Sequence, residues 1–255
     1  MGGAIYTLMH GGLIQQLRMD KVSHNLANVD TIGFKEDRLH QLFAVPDLVK
    51  GPSPGGFERT LAVSPVASYT HFDQGALTAT GNPLDMAIEG PGFFVVQTPQ
   101  GPRYTRQGDF SLNEQGVLIT QSGHPVMGQG GEITLDDDAF TQDGDNGRHN
   151  LFVDGLGNLS VGADQIGTLR IVEFENLQGL KKAGDGLFQS VGAGERPAAE
   201  TTQVAQGMLE GSNVTVVEMM AEMIEALRGY QSYQKAIQAQ DDADSLAIND
   251  VGGQG

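Results

Sequence analysis

The sequence predicts an α+β protein: long N- and C-terminal α-helices forming a coiled-coil-like domain, enclosing a central antiparallel all-β domain. Three observations carry this reading. Apolar residues near both ends recur at alternating steps of three and four, the spacing of a narrow helical seam. Between the ends, short apolar runs recur with a period of two. Glycine, 36 of 255 residues, is about twice as common as usual and falls between those runs, where it reads as turns.

The first element is predicted from residue 4 to about 28–30. Ile5, Leu8, Gly12, Gln15, Met19, Val22, Leu26 and Val29 form its seam. Asn25 and Asn28 are poor interior helix residues, because their amides compete for backbone bonds. They therefore read as a polar corner at the helix end. Gly33 is placed to adopt a left-handed conformation after that end, with Phe34 folding back as an apolar anchor. Taken alone, these residues describe an ordinary C-terminal cap. The segment has no long uncharged run and no basic start, so it reads neither as a membrane span nor as a secretory signal.

Residues 46–81 read as an extended connector, since PDLVKGPSPGGFERT is rich in Pro and Gly. Residues 82–190 read as the β domain. Its strand candidates are Met86–Ile88, Phe93–Gln97, Arg103–Thr105, Phe110–Leu112, Val117–Thr120, Pro125–Met127, Leu151–Val153, Leu159–Val161 and Ile166–Phe174. Turn signals between them, such as Gly90-Pro91-Gly92 and Asn113 to Gly116, recur every eight to twelve residues, the rhythm of an antiparallel domain rather than of βαβ units. Residues 191–206 are small and polar and read as a return connector. The helical domain is discontinuous, 1–45 together with 207–255.

The last element opens on a capping box, Thr215 with Glu218. Val216, Met220, Met223, Leu227, Tyr230, Gln234 and Ile237 repeat the three–four spacing over about 30 residues, or roughly 45 Å of helix. Asp241, Asp242 and Asp244 lie at the end where acidic charge opposes the helix dipole, so fraying is expected beyond about Leu246. Each seam is too thin to stabilise a lone helix. The two are expected to pair with each other and then with further copies.

Composition excludes several classes of function. Fifteen basic residues against 32 acidic ones give a net charge of −17, which argues against nucleic acid and anionic membrane surfaces as partners. Cysteine is absent, which removes disulfides, thiolate metal sites and cysteine nucleophiles. The six histidines form no H-x-x-x-H or H-E-x-x-H pair. A calcium loop opening at Asp143 would need glycine at Arg148 and a bidentate glutamate at Asp154, so a solvated acidic loop is the better reading. No nucleophile elbow or dinucleotide fingerprint is present. No enzyme activity and no cofactor or metal are expected. The Met-rich face of Met208, Met219, Met220 and Met223 is a packing surface that a partner subunit can share.

Three sets of residues resemble the flagellar axial proteins, the family of rod, hook and hook–filament junction subunits. At the N-terminus they are Arg18-Met-Asp20, Ser23-His-Asn25-Leu-Ala-Asn28-Val and Thr31-Ile-Gly33-Phe34-Lys35. In the centre they are Gly81-Asn-Pro-Leu-Asp85, Ile88-Glu-Gly90-Pro-Gly-Phe-Phe94, Tyr104-Thr-Arg106 with Gly108, and Gly123-His-Pro-Val126. At the C-terminus they are Leu209-Glu-Gly-Ser212-Asn213-Val214 and the run from Val217-Glu218 through Ile224, Arg228, Tyr230 and Lys235. Within the family the chain is most similar to the proximal-rod type, and the distal-rod type is the near alternative. His24 departs from the polar residue usual there, and Met219 stands where a second Glu is common.

The resemblance implies a structural subunit that polymerises through its terminal helices into the periplasm-spanning drive shaft. It implies other rod subunits and copies of itself as partners, together with the flagellar type III export apparatus, without membrane insertion or a cleaved signal. Residues expected to carry assembly are Leu8, Gly12, Met19, Val22, Asn25, Leu26, Asn28, Gly33, Phe34, Ser212, Asn213, Val216, Met220, Met223, Leu227, Tyr230 and Ile237. Gly11 and Gly12 are expected points of close packing. A competing reading is a secreted dimeric β module that binds sugar, but the absence of Trp and the presence of only 5 Tyr disfavour it.

Overall fold

A computed structural model describes residues 2–41, 66–135, 151–162, 164–199 and 201–252. It divides into two compact units. One comprises Met1–Ala27, Asp37–Tyr69 and Thr215–Gly255; the other comprises Asn28–Glu36 and Thr70–Val214. The chain therefore crosses between them at four peptide bonds: 27/28, 36/37, 69/70 and 214/215.

The helical unit contains α1 (Gly2–Ala27) and α2 (Val216–Gly252), and the strand Asp37–Gln41 pairs with Val66–Thr70. Helix α2 begins directly after Thr215, whose carbonyl accepts the Met219 amide at 3.0 Å. Its continuation to Gly252 passes the expected fraying point. Ala243, Leu246 and Ala247 are good helix formers, and their propensity outweighs a dipole penalty of a few tenths of a kcal/mol per acidic residue.

The expectation of a coiled-coil-like domain is corrected here. The two helices touch, and on α1 the contact includes the expected positions Gly12 and Gln15, but on α2 the contacting face is shifted from the one read from the sequence. The Tyr233 ring lies against Gly11, where an added Cβ would fall 2.3 Å from it, and Gly229 faces the Gln15 side chain. Met219 and Ala226 are buried on α2, whereas the expected seam residues Val216, Met220 and Leu227 are exposed. The physical reason is side-chain size. Glycine at Gly11 and Gly229 lets one face approach closely, and that face buries Met219 while Val216, Met220 and Leu227 fall outside it.

The β unit is built around a six-stranded antiparallel sheet. Its order is Leu180–Gly184, Leu187–Ser190, Gly101–Thr105, Phe93–Thr98, Ile171–Phe174, Glu195–Pro197. The strand Phe93–Thr98 is buried on both faces. Phe94 and Val96 join one apolar cluster with Met86, Ile88, Leu118 and Val126. Phe93 and Val95 join a second with Tyr104, Val172, Phe174 and Phe188. That explains an unbroken Phe-Phe-Val-Val run where one solvated face would demand alternation.

Two local departures have clear causes. The strand expected over Ile166–Phe174 is split into Asp164–Thr168 and Ile171–Phe174. At the break the Leu169 amide bonds to Gly157 O and the Arg170 amide to Met127 O, so the ladder changes partner. The hairpin Leu180–Gly184 to Leu187–Ser190 turns through Asp185 and Gly186, both with left-handed φ (49° and 69°), as a two-residue type I′ loop requires. Strands also occur at Glu195–Pro197 and Gln203–Gln206, within the stretch read as a connector.

Candidate assembly site

Three of the four crossings are flanked, on the β-unit side, by the segments 33–36, 71–75 and 210–213, and the geometry there is dense. Gly33 takes φ +65°, the left-handed conformation expected after the helix, and a Cβ at this position would meet the Arg106 backbone at 2.6 Å. Its amide donates to Glu210 O at 2.7 Å. Glu210 is fully buried. Its Oε1 accepts from Lys35 Nζ (2.5 Å) and the Gly75 amide (2.8 Å), and its Oε2 accepts from Arg106 Nη1 (3.1 Å). Lys35 Nζ also donates to Asp73 O (2.8 Å), and Arg106 Nη2 donates to Gly90 O (2.6 Å). The guanidinium lies 4.9 Å from the centre of the Phe93 ring, joining the ion cluster to the second apolar core.

Burial pushes both Lys35 and Arg106 below their ordinary pKa values, and the Glu210 carboxylate pulls in the opposite direction. Two cations therefore share one carboxylate in a dry site. Asn213 completes the arrangement. Its Oδ1 accepts the Glu36 amide (2.8 Å), and its Nδ2 donates to His71 O (2.9 Å) and Asp73 O (3.1 Å). The Phe34 ring, itself buried, carries Lys182 Nζ 4.1 Å above its centre, and Lys182 also donates to Lys35 O.

In the helical unit, Asn25 plays the corresponding part. Its amide pairs in both directions with the Asp37 backbone, donating to the carbonyl (2.8 Å) and accepting from the N–H (3.0 Å). Its Nδ2 also lies 3.8 Å from Met219 Sδ. This fixes the end of α1 against the start of the strand at Asp37. The polar corner expected at Asn25 is thus a two-bond clamp rather than a simple cap.

The remaining residues expected to carry assembly fall into different environments. Gly12 and Val22 are buried, and Leu8, Met19 and Leu26 are half-buried. Met223, Tyr230 and Ile237 are half-buried on α2, and Val216, Met220 and Leu227 are exposed. Asn28 and Ser212 are half-buried, Ser212 within the segment 210–213, and Asn28 Oδ1 accepts from Thr31 Oγ1 at 3.2 Å. Close packing falls on Gly11 rather than Gly12, whose added Cβ would stay 3.7 Å from Tyr233. Sequence reasoning missed Lys35, Arg106 and Glu210 as one unit. The available signal was that opposite charges stand inside three otherwise apolar or glycine-rich motifs: Gly33-Phe-Lys35, Tyr104-Thr-Arg106 and Leu209-Glu-Gly211.

Each helix also carries an exposed apolar stripe. On α1 it comprises Tyr6, Met9, Leu13 and Leu17, and Tyr6 is 72% exposed; on α2 it comprises Val217, Met220, Ile224 and Leu227, and Val217 is 77% exposed. At about 100° per residue, the α1 stripe lies roughly opposite Gly11 and Gln15, which face α2.

Chemistry of other kinds finds little support. A groove of about 750 Å³ runs beside the edge strand Glu195–Pro197, but both its arginines are paired, Arg170 with Glu195 and Arg196 with Glu173. Among the described residues no group of three or more His, Asp or Glu could hold a metal ion, and the Asp136–Gly147 stretch weighed for calcium lies outside them. Among the described residues no helix is long and apolar enough to cross a membrane.

Comparison with known proteins is consistent across the chain. Residues 205–250 match the family model for the C-terminal region of flagellar basal body rod FlgEFG proteins, and residues 87–161 match the flagellar hook protein FlgE/F/G D1 domain. The flagellar basal-body rod protein FlgF of Caulobacter vibrioides is 34% identical over 257 residues, covering 99% of both chains. FlgG of Buchnera aphidicola is 34% identical over 247 residues, covering 89% of this chain and 91% of its own length. FlgG of Bacillus subtilis is 34% identical over 263 residues, covering 96% of this chain and 98% of its own length.

Proposed function

The chain belongs to the flagellar basal-body rod proteins, structural subunits of the flagellum, and we propose that it polymerises through the exposed apolar stripes of α1 and α2. The observation that carries this reading is the pair of stripes itself. The two stripes together expose eight large apolar side chains at helical spacing, four in each. Contiguous apolar surface of this kind marks an interaction site rather than a solvated face. The two stripes are different surfaces. A contact between unlike surfaces repeats without closing when its rotation does not complete a ring, which is what a growing shaft needs.

In the same reading the chain sits in the proximal part of the rod, contacts other rod subunits as well as copies of itself, and reaches the periplasm through the flagellar export apparatus. It transmits torque and catalyses nothing. Relatives named FlgF and FlgG stand at equal identity, so the distal position is the competing assignment. Restoring motility to a strain that lacks its proximal-rod FlgF supports the proximal position, and restoring only a strain that lacks FlgG assigns the distal one. The test of polymerisation is the double variant Leu13→Glu/Ile224→Glu. It is expected to leave the purified subunit folded and to abolish rod assembly and swimming. Normal swimming would sink the proposal.

A further inference from the structure

Three charged side chains, Lys35, Glu210 and Arg106, are buried to 3% exposure or less in the β unit. Removing such ions from water costs several kcal/mol each, and apolar residues of similar volume often hold a core at least as well. Their contribution therefore lies in what they hold together. Lys35 belongs to the segment 33–36 and Glu210 to 210–213, and both reach the segment 71–75 through Asp73 O and the Gly75 amide. Asn213 binds the same three segments independently, with one acceptor toward Glu36 and two donors toward His71 and Asp73.

These are the segments next to the crossings at 36/37, 69/70 and 214/215. Apolar contacts tolerate sliding because they are non-directional. Directed bonds from a buried carboxylate and a carboxamide specify one pairing of donors and acceptors. The segments also approach too closely for a shifted arrangement, since a Cβ at Gly75 would fall 2.1 Å from Gly211 O.

We infer that Asn213 and the Lys35–Glu210–Arg106 cluster form a positioning device, which holds the three border segments in a single register on which rod assembly depends. The inference rests on the rod-subunit reading above. Asn213 is the residue to test. It is only half-buried, so its truncation leaves no large cavity, and no other side chain of its size combines one acceptor with two donors.

In the full-length chain, Asn213→Ala is expected to move the thermal midpoint by less than about 3 °C. Exchange of the Glu36 amide is expected to accelerate at least about tenfold, while the Val95 and Val96 amides stay unchanged. Rod assembly in cells is expected to fall at least about tenfold, since a lost register weakens every contact built on it. Asn213→Asp keeps the acceptor but loses both donors, and is expected to fail in assembly in the same way. Wild-type assembly by Asn213→Ala would overturn the inference, and so would a midpoint that collapses in step with assembly. If Leu13→Glu/Ile224→Glu assembles normally, the proposed polymerisation through the stripes fails. If that double variant is blocked while Asn213→Ala assembles, only the positioning role fails.

Discussion

The β unit and the helical unit satisfy their apolar residues in opposite ways. In the β unit Phe93, Phe94, Ile88 and Leu118 are essentially inaccessible, and two clusters cover both faces of the central strand. In the helical unit α1 and α2 bury only a few apolar residues, Ile14, Val22, Met219 and Ala226 among them, and leave Tyr6, Leu13, Val217 and Ile224 exposed. One unit is complete as a folded body. The other is half of an interface, because helices of this kind draw most of their stability from packing. Substitutions of similar chemistry should therefore act on different properties in the two regions.

The largest expected effect belongs to the stripes. Leu13→Glu/Ile224→Glu should abolish assembly, scored by electron microscopy of basal bodies, while the unfolding midpoint of the isolated subunit stays near its original value. Next comes the β core. Phe93→Ala removes a ring that packs edge-on to Phe72, Phe174 and Phe188. It should cost about 3–5 kcal/mol in denaturant unfolding, with assembly lost only as the folded fraction falls. A smaller effect is expected at Gly11→Val, where the new side chain must displace the Tyr233 ring. Overpacking of this sort costs about 1–3 kcal/mol, read as lost helicity in circular dichroism with the β-unit transition unmoved.

The smallest effect is a pH dependence confined to the β unit. Burial, then the bond to Glu195, pushes the Tyr104 hydroxyl up to about 12 from its ordinary 10.0. A pKa raised on folding means that the folded state holds the proton more tightly. The stabilisation is thus complete below pH 10 and is lost as pH rises toward 12. Urea unfolding of the β unit should weaken over that window, and Tyr104→Phe should flatten this part of the profile.

Much of the fold was legible in the sequence because it is local. Period-two runs, the Asn113–Gly116 turn and the left-handed Gly33 each follow from a few neighbouring residues, and the Gly116 φ of +74° and Gly33 φ of +65° agree. The contacting face of α2 was not legible. Val216, Val217, Met219, Met220, Met223, Ile224, Ala226 and Leu227 spread over about half of the helix circumference, so a spacing rule fits more than one face. Glycine, which decides the close approach, carries little hydrophobic weight. The ion cluster was hidden for another reason: Lys35 and Arg106 lie 175 and 104 residues from Glu210. Only the topology brings such residues together. Asp185-Gly186, by contrast, is a short-range hairpin signal that sequence inspection could have used.

The most direct test of the central claim uses the absence of native cysteine. Single substitutions Leu13→Cys and Ile224→Cys place one reactive thiol on each stripe, and maleimide labelling can be timed in dilute subunit and in isolated rods. Both thiols should label freely in the subunit and at least about tenfold more slowly in rods, since contact with a neighbour must exclude solvent there. Equal labelling in the two states would mean that the stripes face no neighbour, and would contradict the account.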